Sequence, residues 1–388
     1  MNDRPRIVVI SEPGSAGVKR HVVDLLRLID VMRFEVYFIY SLERSDATYQ
    51  TEITELSTRG ITCIEIPMNA PLSVRKDTAA LMTLIGELRR IRPHLIHSHS
   101  SKAGGLARIA SLCLFPRPRN VYTPNAMACH RSSLYWGIEV VLGLLTDRLV
   151  AVSRTEFADW QRWRIPGAKR AAIIPNGMSV RTSETVGHRE IPHNAEWTFG
   201  ACGRICRQKN SLLMFRTAVE MLRRDSQARF VWIGDFGDDD EAQSVRTFLS
   251  QEKEFGDRLR VTGWVSDPES LLLTLDVFCM ISRYEGLSYV LGEAQLLALP
   301  VLAVDAPGIS DLVVQDVTGI VALPQIESLC DALTGLRDDV ELRRRLGEKA
   351  RREIALHYTV AGMVAAVEDV YEQLTPQRSS TTLDATTV

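Results

Sequence analysis

The stretch "SRYEGLSYVLGEA", residues 282–294, sets two carboxylates, Glu285 and Glu293, on either side of a Gly-Leu-Ser turn. Ser288 suits an N-cap, so the sequence predicts a helix from about Tyr289 to Leu299, ended by Pro300. Glu285 then lies in the loop and Glu293 in the second helical turn. The amides of Gly286, Leu287 and Ser288 gather at the positive helix end, which suits an anion. Carboxylates on both sides can accept hydrogen bonds from vicinal hydroxyls, as sugars present them. Phosphates in the middle, a ribose on one side and a hexose on the other describe a nucleotide sugar. A second group, "GRICRQKN", places Arg204 and Lys209 in one loop opening a helix, where two cations can hold a diphosphate through charge-assisted hydrogen bonds. In a third, "SEPGSAGVKRHVVDLL", Gly14 and Gly17 let the backbone approach a phosphate at a helix N-terminus. "GSAG" is not G-x-G-x-x-G, and no acidic residue ends the second strand, so a dinucleotide-dependent oxidoreductase is disfavoured.

These groups need strand ends to carry them. The runs "RIVVI", "FEVYFIY", "TCIEIP", "HLIHSH", "NVYTP", "RLVAVS" and "AAIIPNG" alternate with amphipathic segments such as "VKRHVVDLLRLIDVM" and "DTAALMTLIGELRRI". The alternation lapses in "SVRTSETVGHREIPHNAE", which reads as a linker, and restarts with "WTFGACGRI", "ARFVWIGD", "RLRVTGWV", "DVFCMIS", "PVLAVD" and "GIVAL". Strand and helix in turn predict parallel sheets covered on both faces. The expected fold class is α/β, two doubly wound Rossmann-like domains facing across a cleft, with ligand at the carboxyl ends of the strands. The expected boundaries are 1–178 for an acceptor-side domain, 179–195 for the linker and 196–356 for a nucleotide-sugar domain. A terminal helix over 357–376 is expected to pack back toward the first domain, and 377–388 to be a disordered tail.

At 388 residues the chain exceeds one ordinary core, which favours two domains. Seven cysteines without a C-x-x-C pair suggest reduced thiols in a cytoplasm, and Cys202 and Cys206 lack a partner pair for zinc. The N-terminus has one short apolar run and no cleavage-type segment, so export is not expected; the longest apolar run, "SLYWGIEVVLGLL", is broken by Glu139 and two glycines and reads as a buried helix, with peripheral membrane contact as the alternative. Residues 1–178 hold 24 Lys+Arg against 16 Asp+Glu, and the remainder 22 against 32. With no basic stripe interleaved by aromatics, nucleic acid is not the expected partner; an anionic acceptor or anionic membrane surface near the first half fits the charge.

The segment "EGLSYVLGEAQLLALPVLAVDAPGISDLVVQDVTGIVAL" resembles the signature of the retaining glycosyltransferases of family 4, which have the GT-B fold. "LIHSHSSKAGGLARIAS", "VYTPNAM", "TDRLVAVSRTE", "IIPNGM", "GRICRQKN" and "GWVSD" also occur in that family's order. The resemblance implies that Glu293 holds the ribose hydroxyls, Glu285 the donor sugar, and Arg204 and Lys209 the leaving diphosphate. Gly17 would approach the diphosphate, while Trp264 and Val265 would border the base. It also implies retention of configuration, with no required metal and no cofactor, the nucleotide sugar being a substrate. The expected function is hexosyl transfer to a saccharide or polyprenyl-linked acceptor in polysaccharide or glycolipid assembly, in the cytoplasm at the inner membrane face. A nucleotide-sugar epimerase on the same fold and a non-catalytic nucleotide-sugar-binding subunit are the rival readings.

Relatives usually carry a histidine after "TP", where this chain has Asn125, which cannot carry a proton at neutral pH. His130, close in sequence, is the candidate substitute. His97 and His99 alternate on one strand; a zinc pair there lacks a third ligand, so His99 is read as a sugar or acceptor contact. Asp238, Asp239 and Asp240 read as a solvated loop or helix start rather than a metal-binding D-x-D.

Overall fold

The computed structural model describes residues 4–69, 72–125, 133–167, 170–182, 184–187 and 195–375. The described residues fall into two compact units. One holds the chain up to Ala151, Trp160–Ile174 and the chain from Met363; the other holds Val152–Asp159 and Pro175–Gly362.

The first unit contains β1 (Arg6–Ser11), β2 (Glu35–Tyr40), β3 (Thr62–Glu65), β4 (Leu95–His99), β5 (Arg119–Thr123), β6 (Arg148–Ala151) and β7 (Ala171–Ile173). The intervening helices are α1 (Ala16–Leu28), α2 (Tyr49–Thr58), α3 (Val74–Ile91), α4 (Ser101–Ser111) and α5 (Ser133–Gly143), and of α6 (Arg154–Arg162) only the end from Trp160 belongs to this unit. In the second lie β8 (Trp197–Cys202), α7 (Ser211–Arg224), β9 (Ala228–Ile233), α8 (Asp240–Gln251), β10 (Leu259–Val261), α9 (Pro268–Leu272) and β11 (Val277–Met280). They are followed by α10 (Tyr289–Leu296), β12 (Val301–Val304), β13 (Ile320–Ala322), α11 (Ile326–Asp338) and α12 (Val340–His357); α13 (Val360–Leu374) belongs to the first unit from Met363 onward.

All strand pairs are parallel, in the orders β3-β2-β1-β4-β5-β6-β7 and β10-β9-β8-β11-β12-β13. Both orders reverse direction once, between β1 and β4 and between β8 and β11. At such a point successive crossover helices leave to opposite sides and open a crevice at the strand ends. The strands are near-continuous apolar runs because both sheet faces are covered: Ile7, Val8, Val9 and Ile10 of β1 and Val277, Phe278, Cys279 and Met280 of β11 are all buried. Aromatic packing adds to the second core, where Phe215 of α7 stacks on Trp232 of β9 with centroids 5.2 Å apart.

Three differences from the sequence reading have physical causes. α10 stops at Leu296, and Ala298, at φ 63°, turns the chain out of the helix before Pro300. The stretch expected as linker is tied to the second unit where it is described: Arg181 and Thr182 donate backbone N–H groups to Glu269 at 2.8 Å, and Val186 donates to the Leu297 carbonyl. Residues 183 and 188–194, and the expected tail 377–388, lie outside the described residues. Finally, α5 is not a buried helix. Its single acidic residue, Glu139, is buried and bound by Arg108, while Leu134, Val141 and the following Leu144 are exposed. α13 contributes Glu368 to the first unit, where it accepts from the Asp30 amide at 2.7 Å and pairs with Arg33 at 2.8 Å. No helix among the described residues is long and apolar enough to cross a membrane.

Candidate active site

In the second unit, β8 and β11 flank the reversal of strand order, and the loops leaving them carry Arg204, Lys209 and Glu285. Glycine makes this geometry possible. Gly203, directly after β8, has φ 136°, and a Cβ on it would lie 2.9 Å from Lys209 Cε. The Lys209 side chain therefore lies across the space a side chain at 203 would take. Gly234, after β9, has φ 137°, and a Cβ there would come within 2.2 Å of the Gly203 carbonyl oxygen.

The loop after β8 is braced along its length. The Arg207 amide donates to Asp239 Oδ2 at 2.8 Å, and the same carboxylate caps α8 through the Ala242 amide. Asp239 is thus a helix N-cap that also anchors the neighbouring loop. Among the described residues no group of three or more His, Cys, Asp or Glu is placed to hold a metal. The Arg283 amide donates to the Gln208 carbonyl at 2.8 Å, and Gln208 Nε2 to the Tyr284 carbonyl at 3.2 Å, so the two loops are zipped together. Lys209 Nζ reaches Glu285 Oε1 at 2.8 Å, with side chains only 17% and 9% exposed. Arg204, by contrast, is exposed and makes no ion pair among the described residues.

The loop after β11 is held from two further sides. The Glu285 amide donates to the Pro307 carbonyl at 2.8 Å. Gly308, at φ 74°, passes so close that a Cβ would meet the Glu285 carbonyl oxygen at 2.5 Å. Thr155 accepts from the Gly308 amide at 2.8 Å and donates to Asp311 at 2.6 Å, which secures that approach. Buried Asn176 donates to the Leu287 carbonyl at 3.0 Å. Gly286, Leu287 and Ser288 are buried, yet their amides find no acceptor among the described residues, and Ser288 makes no side-chain cap bond. Left dry, such donors cost about 1–3 kcal/mol each, so their convergence at the start of α10 favours an incoming anion.

Glu293, half-buried in the second turn of α10, belongs to the same cluster. Cys202, ending β8, feels both Glu293 and Lys209. Burial pushes its thiol up to about 12, with the Glu293 charge adding to the shift and the Lys209 charge opposing it. Trp264 follows Gly263, whose φ is 73°, and is 58% exposed; Val265 is half-buried. Lys209, Glu285, Glu293 and the three amides therefore come together at one strand-end site, with Arg204 on the same loop as Lys209.

In the first unit Gly14 and Gly17 part company. Gly14 is buried, and a Cβ on it would strike Tyr49 at 2.5 Å, so it serves packing. Gly17 is exposed in the first turn of α1. His97 and His99 are fully buried with ring centroids 4.1 Å apart. His97 has both nitrogens engaged, Nδ1 with Tyr371 Oη at 2.6 Å and Nε2 with Thr123 Oγ1 at 2.8 Å, which leaves none for zinc. Burial, then neighbouring histidines, hold both well below the usual histidine range, so they are neutral at pH 7. His99 Nδ1 lies 3.5 Å from Asn125 Nδ2, so His99 is placed to act through Asn125 rather than as an open contact surface. Asn125 sits at φ 55°, a conformation asparagine tolerates better than most residues. His130 lies outside the described residues.

Sequence reasoning missed Asn176, Gln208 and the bracing role of Asp239. The turn "PNG" and the acidic residue three before Ala242 were the available signals, and neither names its distant partner.

Residues 15–181 match the model of Glycosyltransferase Family 4 and residues 196–339 that of Glycosyl transferases group 1. The chain is 25% identical over 377 residues to the Escherichia coli UDP-Gal:alpha-D-GlcNAc-diphosphoundecaprenol alpha-1,3-galactosyltransferase, covering 92% of this chain and 94% of that one. It is 22% identical to the Staphylococcus aureus capsular polysaccharide biosynthesis glycosyltransferase CapM, over 90% of this chain and 96% of the other. In fold it is similar to Anabaena HepE in complex with UDP-glucose, with a TM-score of 0.78, 17% identity and coverage of 95% and 99%. The sucrose-phosphate synthase of Thermosynechococcus elongatus superposes with a TM-score of 0.75 at 18% identity, over 96% and 99% of the two chains.

Proposed function

Because this chain belongs to the group 1, family 4 glycosyltransferases, we propose that it moves a hexose, with retention and without a metal, from UDP to a lipid-linked saccharide during polysaccharide assembly. Glycosyl transfer from a nucleotide sugar is the activity of the family; the base, the stereochemistry and the acceptor are the proposal. The observation that carries it is the Lys209–Glu285 pair at the reversal of the second sheet, beside three amides without acceptors among the described residues. The UDP-sugar specificity of the Escherichia coli relative and its diphosphoundecaprenol-linked acceptor support the choice of donor and acceptor.

Departure of UDP places negative charge on the β-phosphate, so the site must supply fixed positive potential. Lys209, Arg204 and the Gly286–Leu287–Ser288 amides supply it here. Glu285 orients the hexose hydroxyls, and its ion pair keeps Lys209 extended until phosphate arrives to share the cation. Glu293 receives the ribose hydroxyls, and Trp264 with Val265 borders the base. The acceptor hydroxyl attacks from the face the phosphate leaves and passes its proton to the departing β-phosphate, its bond to the anomeric carbon forming as the bond to UDP breaks; Asn125, beside His99, is the acceptor contact of the first unit. A glycosidase would need facing carboxylates about 5–9.5 Å apart around the scissile bond, a poor match for Glu285 and Glu293 on one loop-helix unit. The acceptor's lipid implies work at a membrane surface, in the cytoplasm.

The test is thermal stabilisation and turnover with UDP-, GDP- and ADP-hexoses, comparing wild type with Glu293→Ala. UDP-sugars should raise the melting temperature and release UDP, with the anomeric proton of the product reporting retention. Stabilisation by GDP- or ADP-sugars instead would overturn the choice of base, and binding without nucleotide release by wild type would overturn the transferase reading.

A further inference from the structure

An exposed helix ordinarily turns its charges to water and its apolar residues inward. α5 reverses this. Its one charged residue, Glu139, points into the first unit, where Arg108 pairs with it at 2.9 Å, Tyr122 Oη donates to it at 3.0 Å, and the Arg108 guanidinium lies 3.9 Å above the Tyr122 ring. That buried network fixes which side of α5 faces in. Facing out are Leu134 and Val141, seven residues apart and each 62% exposed, and Leu144, 67% exposed. Trp136 is 44% exposed, with its indole N–H anchored on the Trp163 carbonyl. The neighbouring α4 ends in exposed Ile109 and Leu112, and Phe115 follows fully exposed.

Arginines border this apolar face. Arg162 and Arg164, both exposed, flank Trp163 and so lie beside Trp136. Arg117 donates to the Leu145 carbonyl at the other end of α5, where it and Arg119 share the single carboxylate of Asp147. Residues 101–178 hold 11 Lys+Arg against 4 Asp+Glu, and two of those four, Glu139 and Glu156, are buried.

We propose that the outer face of α5 docks this chain on an anionic lipid surface. Leu134, Val141 and Leu144 enter the interface, Trp136 sits at headgroup depth, and the bordering arginines meet lipid phosphates. A second copy is a poorer occupant, because pairing two such faces brings arginine against arginine, whereas anionic headgroups neutralise them. The inference deepens the lipid-linked acceptor reading and rests on it.

Co-sedimentation of the full chain with vesicles of phosphatidylethanolamine and phosphatidylglycerol tests it, alongside vesicles of phosphatidylcholine alone. Wild type should bind the anionic vesicles with a blue shift of tryptophan fluorescence, less at high salt, and bind phosphatidylcholine weakly. Combining Leu134→Gln, Val141→Gln and Leu144→Gln, all at exposed positions, should weaken partition about tenfold or more. UDP stabilisation and melting temperature should remain unchanged. Arg162→Gln with Arg164→Gln should lower binding to anionic vesicles alone. Equal sedimentation of wild type and the triple variant overturns the proposal. So does a wild-type dimer that fails to bind vesicles and is dissociated by the triple variant. Failure to bind vesicles with UDP stabilisation intact sinks the docking face and leaves the transferase site standing.

Discussion

Replacing Lys209 with methionine separates two roles of that ammonium. At 2.8 Å, and with an effective dielectric of about 20, the gross attraction to Glu285 is roughly 6 kcal/mol, most of it offset by desolvation of the two groups. Breaking a fully buried pair costs about 3–5 kcal/mol; here the side chains retain 17% and 9% exposure, so about 2–3 kcal/mol is expected, a melting shift of roughly 5–10 °C. The catalytic loss is separate: removing a preorganised positive group from the leaving phosphate lowers kcat by about 10²–10³. Stability and rate part in the double variant Lys209→Met with Glu285→Gln. Its neutral pair should recover most of the melting temperature and none of the turnover. UDP affinity supplies the sign. Lys209→Met should weaken UDP binding, while Glu285→Gln, by freeing Lys209 from its carboxylate, should leave it unchanged or tighten it. Thermal melts, calorimetric titration of UDP and a nucleotide-release assay read all three. If the double variant regains turnover together with stability, Lys209 and Glu285 are only a brace and the reasoning is wrong.

Gly203→Ala meets both a left-handed backbone and a Cβ 2.9 Å from Lys209 Cε, so it should lower stability by about 1–3 kcal/mol and raise the KM for donor; unchanged donor KM in urea-melted and kinetic comparison would contradict the steric account. Asn176→Ala removes the bond to the Leu287 carbonyl and should lower kcat more than stability as the amides of 286–288 lose registration; equal losses of both would make Asn176 a packing residue. His97 and His99 are held neutral in the fold while the unfolded chain protonates them, so stability is complete above about pH 6.5 and falls on acidification below it, by about 1.4 kcal/mol per histidine per pH unit. Urea titrations at pH 7.5 and 5.5 check this, and a melt no weaker at the lower pH refutes it. The Cys202 thiol, half-buried and pushed up to about 12, should resist alkylation at pH 8 under conditions where exposed Cys113 reacts; rapid labelling of Cys202 in the folded chain would contradict the raised thiol.

Both sheets were legible because their strands are short β-branched runs buried on two faces, and such runs stand out against amphipathic helices. Placing ligand at the carboxyl ends of the strands then singled out the loops that could carry chemistry, so Lys209 and Glu285, far apart in sequence, could be assigned to one site. What was hidden depends on approach distances. Nothing in "GRI" says that Gly203 must yield its space to Lys209, and nothing in "APG" says that Gly308 presses on Glu285. His99 reads as a strand-end contact until its neighbours are known; three histidine rings, His21, His97 and His99, packed together turn it into an interior residue that touches Asn125. Glu139 misled in the other direction. Within an apolar run a lone glutamate reads as an interruption in a buried helix, whereas its partner Arg108 draws it inward and leaves Leu134, Val141 and Leu144 exposed.

A crystal structure of the chain soaked with UDP tests the diphosphate site most directly. The diphosphate should lie within hydrogen-bonding distance of Lys209 Nζ and the amides of Gly286, Leu287 and Ser288, with the ribose on Glu293. Ordered UDP bound elsewhere, with Lys209 and Glu285 still joined and those amides unoccupied, would contradict it.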